Sequence, residues 1–233
     1  MRNRKNLIKL NDVSVFFNRR VILESLNCEI QEGCVTIIGA STHAEREAFF
    51  DIFRSMNGFP SSYVHFKGQI IFERREGEKA GVSTPDIVVM DRNILKSLEM
   101  LTPGDLIRLI FGKEARDFLS EYFEIVALME LTHLFEHPSC LLKSFPLDDV
   151  ILLIILTGFV RSRSLVAVNE ILDGLGEKAF ERFASILERF KDERVLVIGT
   201  KTIRRFLPLA DLIIIFENGK IVFDGDPVKY VML

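Results

Sequence analysis

The chain is poor in the residues that build metal centres and cross-links. It has three cysteines, Cys28, Cys34 and Cys140, and four histidines among 233 residues. An odd cysteine count without paired spacing argues against a disulfide framework and against a cysteine-held metal. Reduced thiols fit a cytoplasmic protein, and that is the expected location. His133 and His137 stand four apart, a spacing that lets two imidazoles share a metal on one helix face. Pro138 follows at once and no third ligand is in view, so no metal is expected.

Long apolar runs are missing too. The longest, from Val150 to Val160 (VILLIILTGFV), is far shorter than the ~20 residues a membrane-spanning helix needs, and reads as a buried helix. The opening MRNRKNLIKL has basic residues but no apolar run behind them, which argues against a signal peptide. A net charge of −3 gives no basic bias toward nucleic acid or anionic lipid, so no nucleic-acid partner is expected. No internal repeat or low-complexity tail is present. A hydrophobic fraction of 48% and a charged fraction of 27% are ordinary for a globular chain. The length allows one large domain, or one domain with a small insert.

Residues 7–17 and 21–30 alternate apolar and polar, as half-buried strands do, and the second run ends at the turn signal Glu32-Gly33. The β-branched run at 35–39 reads as a strand covered on both faces, 87–90 as a short buried strand, and 165–168 and 195–198 as further strands. Residues 65–72 form a further strand candidate, and 73–84 read as an exposed loop. A helix is expected from Ala44 to about Met56, with Phe49, Phe50 and Phe53 on one side and a stop at Asn57-Gly58-Phe59-Pro60. Helical periodicity runs from about Thr102 to Leu134, opened by Pro103 in a first turn, with a second stretch near 119–131. Pro146 opens the apolar helix, and residues 177–191 form an amphipathic one. Asn218-Gly219 between two β runs is a hairpin signal. Strands alternating with helices predict an α/β fold with a largely parallel sheet.

The order of these pieces resembles the ATP-binding domain family of ABC transporters over nearly the whole chain. Leu10-Asn-Asp-Val-Ser14 with Phe17, and then Val21 to Ile30, resemble its opening strands. Glu32 to Gly39 resembles the approach to its phosphate loop. Ser97 to Pro103 resembles the start of its helical subdomain, and Ala210 to Gly225 its C-terminal hairpin. The resemblance implies a P-loop NTPase-like (RecA-like) core with an N-terminal antiparallel β subdomain and a helical insert. It implies one ABC ATPase-like domain over 1–233, with its core at about 1–91 and 146–233 and a helical subdomain at about 92–145.

The family's chemistry needs a glycine-rich loop that wraps phosphate, a Lys for the β/γ-phosphates and a Ser or Thr for Mg²⁺. Here Gly39 is in frame, Ser41 lies within the loop, and Ala44 stands at the second glycine. Glu45 stands at the lysine and Arg46 at the magnesium hydroxyl. Reversing a charge near phosphate replaces an attraction by a repulsion, each about 4 kcal/mol at ~4 Å and an effective dielectric near 20. The favour of a helix N-terminus for anions, at most about 2 kcal/mol, cannot offset that. Arg46 has two readings: a surface arginine on the first helical turn, or a side chain turned inward to bind phosphate.

The signature segment falls on Phe145-Pro146-Leu147-Asp148-Asp149, where two aspartates are expected to cap their own helix and repel phosphate. Asn169 replaces the aspartate that supports Mg²⁺, and Glu170 matches the position that polarises water. It is the one catalytic match. Asp173-Gly-Leu-Gly176 stands at the dimer-contact loop, Thr200 near the switch histidine, and Arg92 or Asn93 at the coupling glutamine. Phe17 matches the aromatic that stacks on adenine, or packs as an ordinary strand residue.

With the flanking strands kept and these positions altered, the expectation is a pseudo-ATPase subunit of an ABC transporter. It would bind ATP and Mg²⁺ weakly at most and hold no other cofactor. Its partners would be a transmembrane permease subunit and a second ABC ATPase subunit, as homo- or heterodimer, on the cytoplasmic face of the membrane. Two alternatives stand: a soluble interaction module on an ABC scaffold without a transport role, and an ATPase working through Arg46 and Glu170.

Overall fold

The computed structural model describes residues 7–56, 58, 63–73, 86–112, 115–162 and 164–232. The expected loop at 73–84, apart from Glu73, which ends a strand, and most of the helix stop at 57–60 lie outside them. Two sheets carry the fold. Strands β1 (Leu7–Phe17), β2 (Arg20–Gln31) and β4 (Val64–Glu73) make an antiparallel sheet in the order β2-β1-β4. Strands β3 (Val35–Ala40), β5 (Ile87–Met90), β6 (Leu165–Asn169), β7 (Val195–Gly199), β8 (Leu212–Glu217) and β9 (Lys220–Gly225) make the second, ordered β5-β6-β7-β3-β8-β9. All its pairings are parallel except β8 with β9. β6 and β7 are buried along their whole lengths and β3 over all but its last residue, as β-branched runs covered on both faces require.

Local chemistry fixes the turns. Asn218 and Gly219 have φ of 52° and 78°, the left-handed pair that a two-residue hairpin needs. In the antiparallel sheet, β1 pairs with irregular register on both sides of Asp12, itself left-handed at φ 52°. Gly68 on β4 faces this irregularity at φ 97°, and a Cβ there would collide with the Asp12 carbonyl. Only glycine lets the two backbones approach so closely.

Helix α1 (His43–Met56) lies between the two sheets and buries Phe49, Phe50 and Phe53 completely. Phe49 meets Phe53 edge-on at 5.4 Å and Phe216 of β8 at 5.0 Å, which anchors the helix that starts at the loop after β3. The other face of the large sheet is covered by α6 (Leu147–Arg161), buried throughout from Val150 to Val160, and by α7 (Glu177–Phe190).

Between β5 and α6 the described chain is helical: α2 (Arg92–Leu98), α3 (Pro103–Phe111), α4 (Ala115–Leu128) and α5 (His133–Glu136). The helical period expected from Thr102 to Leu134 is thus broken into three. Its first break follows Phe111, where Gly112 takes φ 53°. Thr102 caps α3 through its side chain, with Pro103 behind it. Short α8 (Ile203–Phe206) and α9 (Pro227–Val231) complete the fold. Among the described residues no helix is long and apolar enough to cross a membrane.

Candidate functional site

The loops after β3, β6 and β7 leave the parallel sheet at its carboxyl end, where open α/β sheets place their sites. Backbone bonds tie them together: the Glu170 N–H donates to the Gly199 carbonyl at 2.9 Å and the Thr200 N–H to the Ile38 carbonyl at 3.1 Å. The hydroxyl and N–H of Ser41 both donate to the Phe216 carbonyl, at 3.2 and 3.0 Å, so Ser41 fastens the loop to β8. Gly39 is buried, and a Cβ there would press on the end of the Ile203 side chain.

Glu45 does more than repel. Its carboxylate accepts the Thr42 N–H at 2.9 Å and the Thr42 hydroxyl at 2.8 Å, while the Glu45 N–H donates back to Thr42 Oγ1 at 3.2 Å. This is a capping box at the start of α1, and its sequence signal is Thr-x-x-Glu at 42–45. The other carboxylate oxygen accepts the Gly219 N–H at 2.8 Å, across to the β8–β9 hairpin. An internal carboxylate therefore occupies the N–H of Thr42 at the start of α1 and the N–H of Gly219 on the hairpin.

Arg46 is not a surface residue. It is 1% exposed and pairs with Glu170 through its Nη2. Turned inward, it meets a carboxylate rather than an open anion site, because Glu170 lies within reach and needs a counter-charge. Its Nε is buried without a hydrogen-bond partner among the described residues.

Glu170 is the hub of the site. Its backbone is left-handed at φ 60°, an uncommon state for a side chain of this size and a mark of a position fixed by its surroundings. Its Oε1 accepts from Arg46 and from His43 Nδ1 at 2.8 Å. Its Oε2 accepts from Lys201 Nζ at 3.0 Å and faces Arg92 Nε at 3.8 Å. Burial pushes the carboxyl up, but the hydrogen bonds from Arg46, His43 and Lys201 outweigh it and hold it at about 2. A carboxylate that acidic, with both oxygens engaged, is a poor base toward water.

Asn169 is buried and donates through Nδ2 to Glu47 Oε1 at 2.5 Å, while its Oδ1 has no partner among the described residues. Glu47 also pairs with Arg54, which further binds Asp51 and Asp91. Asp91 caps α2, accepting the N–H groups of Asn93 and Ile94, and so sets Arg92 at the first position of that helix facing Glu170. Thr200 donates to Asp173 Oδ1 at 2.5 Å, and the Lys201 N–H donates to Asp173 Oδ2, which joins the 173–176 loop to the end of β7.

The aspartates at the start of α6 correct the sequence expectation. That helix has Pro146 at its N-cap and no side-chain cap. Asp148 accepts instead from the Gly176 N–H at 3.2 Å, and Asp149 from Arg182 Nη2 at 2.7 Å with His133 Nε2 at 3.3 Å. Donors on α7 and its approach compete successfully for these carboxylates. His137 ends α5 and does not stand on one helix face with His133. Phe17 is 47% exposed, with its ring 6.4 Å from that of Tyr63, over an apolar recess of about 230 Å³ that also touches Val15, Ile22 and Ala48.

The architecture has clear counterparts. A nucleotide-free ATP-binding cassette from an ABC transporter superposes with a TM-score of 0.72 at 17% identity, covering 97% of this chain and 95% of that one. The fold is that of an ABC-transporter ATP-binding domain. CbiO1 of Clostridium perfringens, part of the ABC transporter complex cbiONQ, gives a TM-score of 0.74 at 14% identity over 98% of this chain and 92% of its own. A bacterial Atm1-family ABC exporter with ATP bound gives 0.76 at 13% identity, covering all of this chain and 40% of that one. In sequence the chain is similar to the lantibiotic transport ATP-binding protein SrtF of Streptococcus pyogenes, 22% identical over 94% of this chain and 91% of that protein. No family model matches. In the ABC-domain frame, the loop after β3, Asn169-Glu170, the 173–176 loop and Thr200 come together at one end of the sheet. Phe17 lies at the end of β1, over the same helix α1.

Proposed function

We propose that this chain is a non-hydrolysing nucleotide-binding-domain subunit of an ABC transporter assembly. The observation that carries the reading is the internal occupation of the site. The Glu45 carboxylate engages loop donors, and Arg46 and Glu170 neutralise each other where a magnesium hydroxyl and a free base are needed. These residues do not fit Mg²⁺-ATP. Likeness to transport ATP-binding proteins along the chain supports the assembly role.

In this reading the helices from 92 to 145 form a subdomain that docks on a transmembrane permease subunit. The core at about 1–91 and 146–233 faces a second ABC subunit, and the complex sits on the cytoplasmic side of the membrane. The rival ATPase reading needs Arg46 and Glu170 available to substrate, and each is engaged by the other.

The test is calorimetric titration with ATP and Mg²⁺, with phosphate release measured in parallel and an intact ABC ATPase as the positive control. No release and no binding below millimolar nucleotide is expected. Turnover abolished by Glu170→Gln would replace this reading with the catalytic one. Co-purification with a permease subunit or an ABC subunit tests the assembly role. Its absence with both partners co-expressed would favour the soluble interaction module.

A further inference from the structure

Strand β2 is the last of the antiparallel sheet and β9 the last of the large one. An edge strand presents N–H and C=O groups that no neighbour pairs. The two edges touch at the β8–β9 hairpin tip. There the Glu24 N–H donates to the Gly219 carbonyl at 2.8 Å, and Lys220 Nζ lies 3.7 Å from Glu24. Toward the amino end of the parallel sheet the strands part, and a cleft of about 550 Å³ opens between them. Cys34 and Asp211, which precede β3 and β8, also line it, so it lies at the opposite end of the sheet from Glu170. Ligand clefts typically hold about 300–1,000 Å³.

The lining is acidic. Glu29, Asp211 and Asp224 stand against one ammonium, Lys9, which is already paired with Glu29 at 2.6 Å. Lys191 feels the charge of Asp211 but is bound to Glu188 at 2.9 Å. Asp224 has no cation paired to it among the described residues. Burial and the charge of Glu29 raise its carboxyl above the ordinary value. Cys28, 6% exposed, lines the same cleft as a free thiol with no hydrogen-bond partner among the described residues. Burial, Asp224 and Glu29 push that thiol up to about 12, so it stays neutral. A carboxylate disfavoured by its surroundings gains from a cation brought beside it.

We propose that this cleft takes an extended basic peptide segment of a partner protein, added as a strand between β2 and β9 with a lysine or arginine set against Asp224. Main-chain bonds to the open strand edges supply the affinity, and the acidic lining selects the basic side chain. The proposal does not depend on whether the chain hydrolyses nucleotide, because the cleft shares no residue with the loops after β3, β6 and β7. The acids at the cleft mouth are reached by solvent, so salt should weaken binding.

The test is fluorescence anisotropy of the full chain with a labelled, end-blocked peptide, Val-Lys-Val-Lys-Val. Saturable binding is expected, with none for Val-Glu-Val-Glu-Val and a loss when alternate amides of the lysine peptide are N-methylated. Hydrogen–deuterium exchange should slow in residues 27–31 and 220–224 and stay unchanged in 39–46. Asp224→Asn should weaken the peptide about fivefold. Its melting temperature should not fall, because the fold already disfavours that charge. Equal affinity for the acidic peptide, undiminished binding after N-methylation, unchanged affinity in Asp224→Asn or no slowing along β2 and β9 would each overturn the proposal. So would binding that appears only in a variant lacking residues 2–6, which would give the cleft to the chain's own basic start, or self-association that the peptide reverses, which would give it to a second copy.

Discussion

Helices α1 and α6 start with carboxylates in their first turns, and the two use them in opposite ways. At α1, Glu45 folds back onto Thr42 and completes a capping box, then reaches across to Gly219. At α6, Asp148 and Asp149 turn away from their helix and bind Gly176 and Arg182. The difference is in the competitors. Glu45 has Thr42 three residues before it and no cation paired to it among the described residues. The α6 aspartates follow Pro146, whose side chain cannot cap, and they have α7 alongside with a guanidinium to offer. A carboxylate at a helix start is therefore a cap only where nothing better lies within reach.

The largest expected effect is at the hub that the first of these helices feeds. Glu170→Gln leaves Arg46 buried without a counter-charge and should cost about 3–5 kcal/mol in chemical denaturation. Arg46→Met should cost less, because Glu170 keeps His43, Lys201 and Arg92. The reverse order would show that Arg46 is not the cation that depends on Glu170.

Next in size is the acid response. A carboxyl whose folded pKa is depressed stabilises the fold above its unfolded value and loses that contribution as pH falls through the folded one. For Glu170 the ordinary value is 4.5 and the folded value about 2. Its share, on the order of 3 kcal/mol, should be complete above about pH 5 and decay toward pH 2. A stability curve against pH that is as steep in Glu170→Gln as in the parent would place the acid sensitivity elsewhere.

The comparison of the two helix starts is sharpened by smaller changes. Glu45→Gln should cost about 1–2 kcal/mol, the usual worth of a cap with one added tie. Asp149→Asn, which weakens the partly buried pair with Arg182, should cost about 1 kcal/mol, and Asp148→Asn less than that. If Asp148→Asn lowered stability more than Glu45→Gln in urea unfolding, the contrast drawn between the helices would be wrong.

Much of the scaffold is legible in the sequence because its signals are local. The β-branched runs that became β3, β6 and β7, the Asn218-Gly219 hairpin and the phenylalanines of α1 are read from a few neighbouring residues. The Thr42–Glu45 box is an equally local signal, Thr-x-x-Glu at a helix start. The Arg46–Glu170 pair was not legible, since its members are 124 residues apart and meet only once β3 and β6 lie in one sheet. The aspartates of α6 failed the local rule for the same reason: their partners come from α7. Spacing names candidate residues, and charge partners across the fold decide what each side chain touches.

The bond from the Gly219 N–H to Glu45 has a consequence for exchange with solvent. Amides at the tip of a hairpin ordinarily trade hydrogen for deuterium quickly, because local opening costs little there. This one is held by a side chain of the first turn of α1, the helix whose phenylalanines lie between the two sheets. Deuterium should therefore enter Gly219 only as fast as that turn loosens, so the hairpin tip keeps time for the interior.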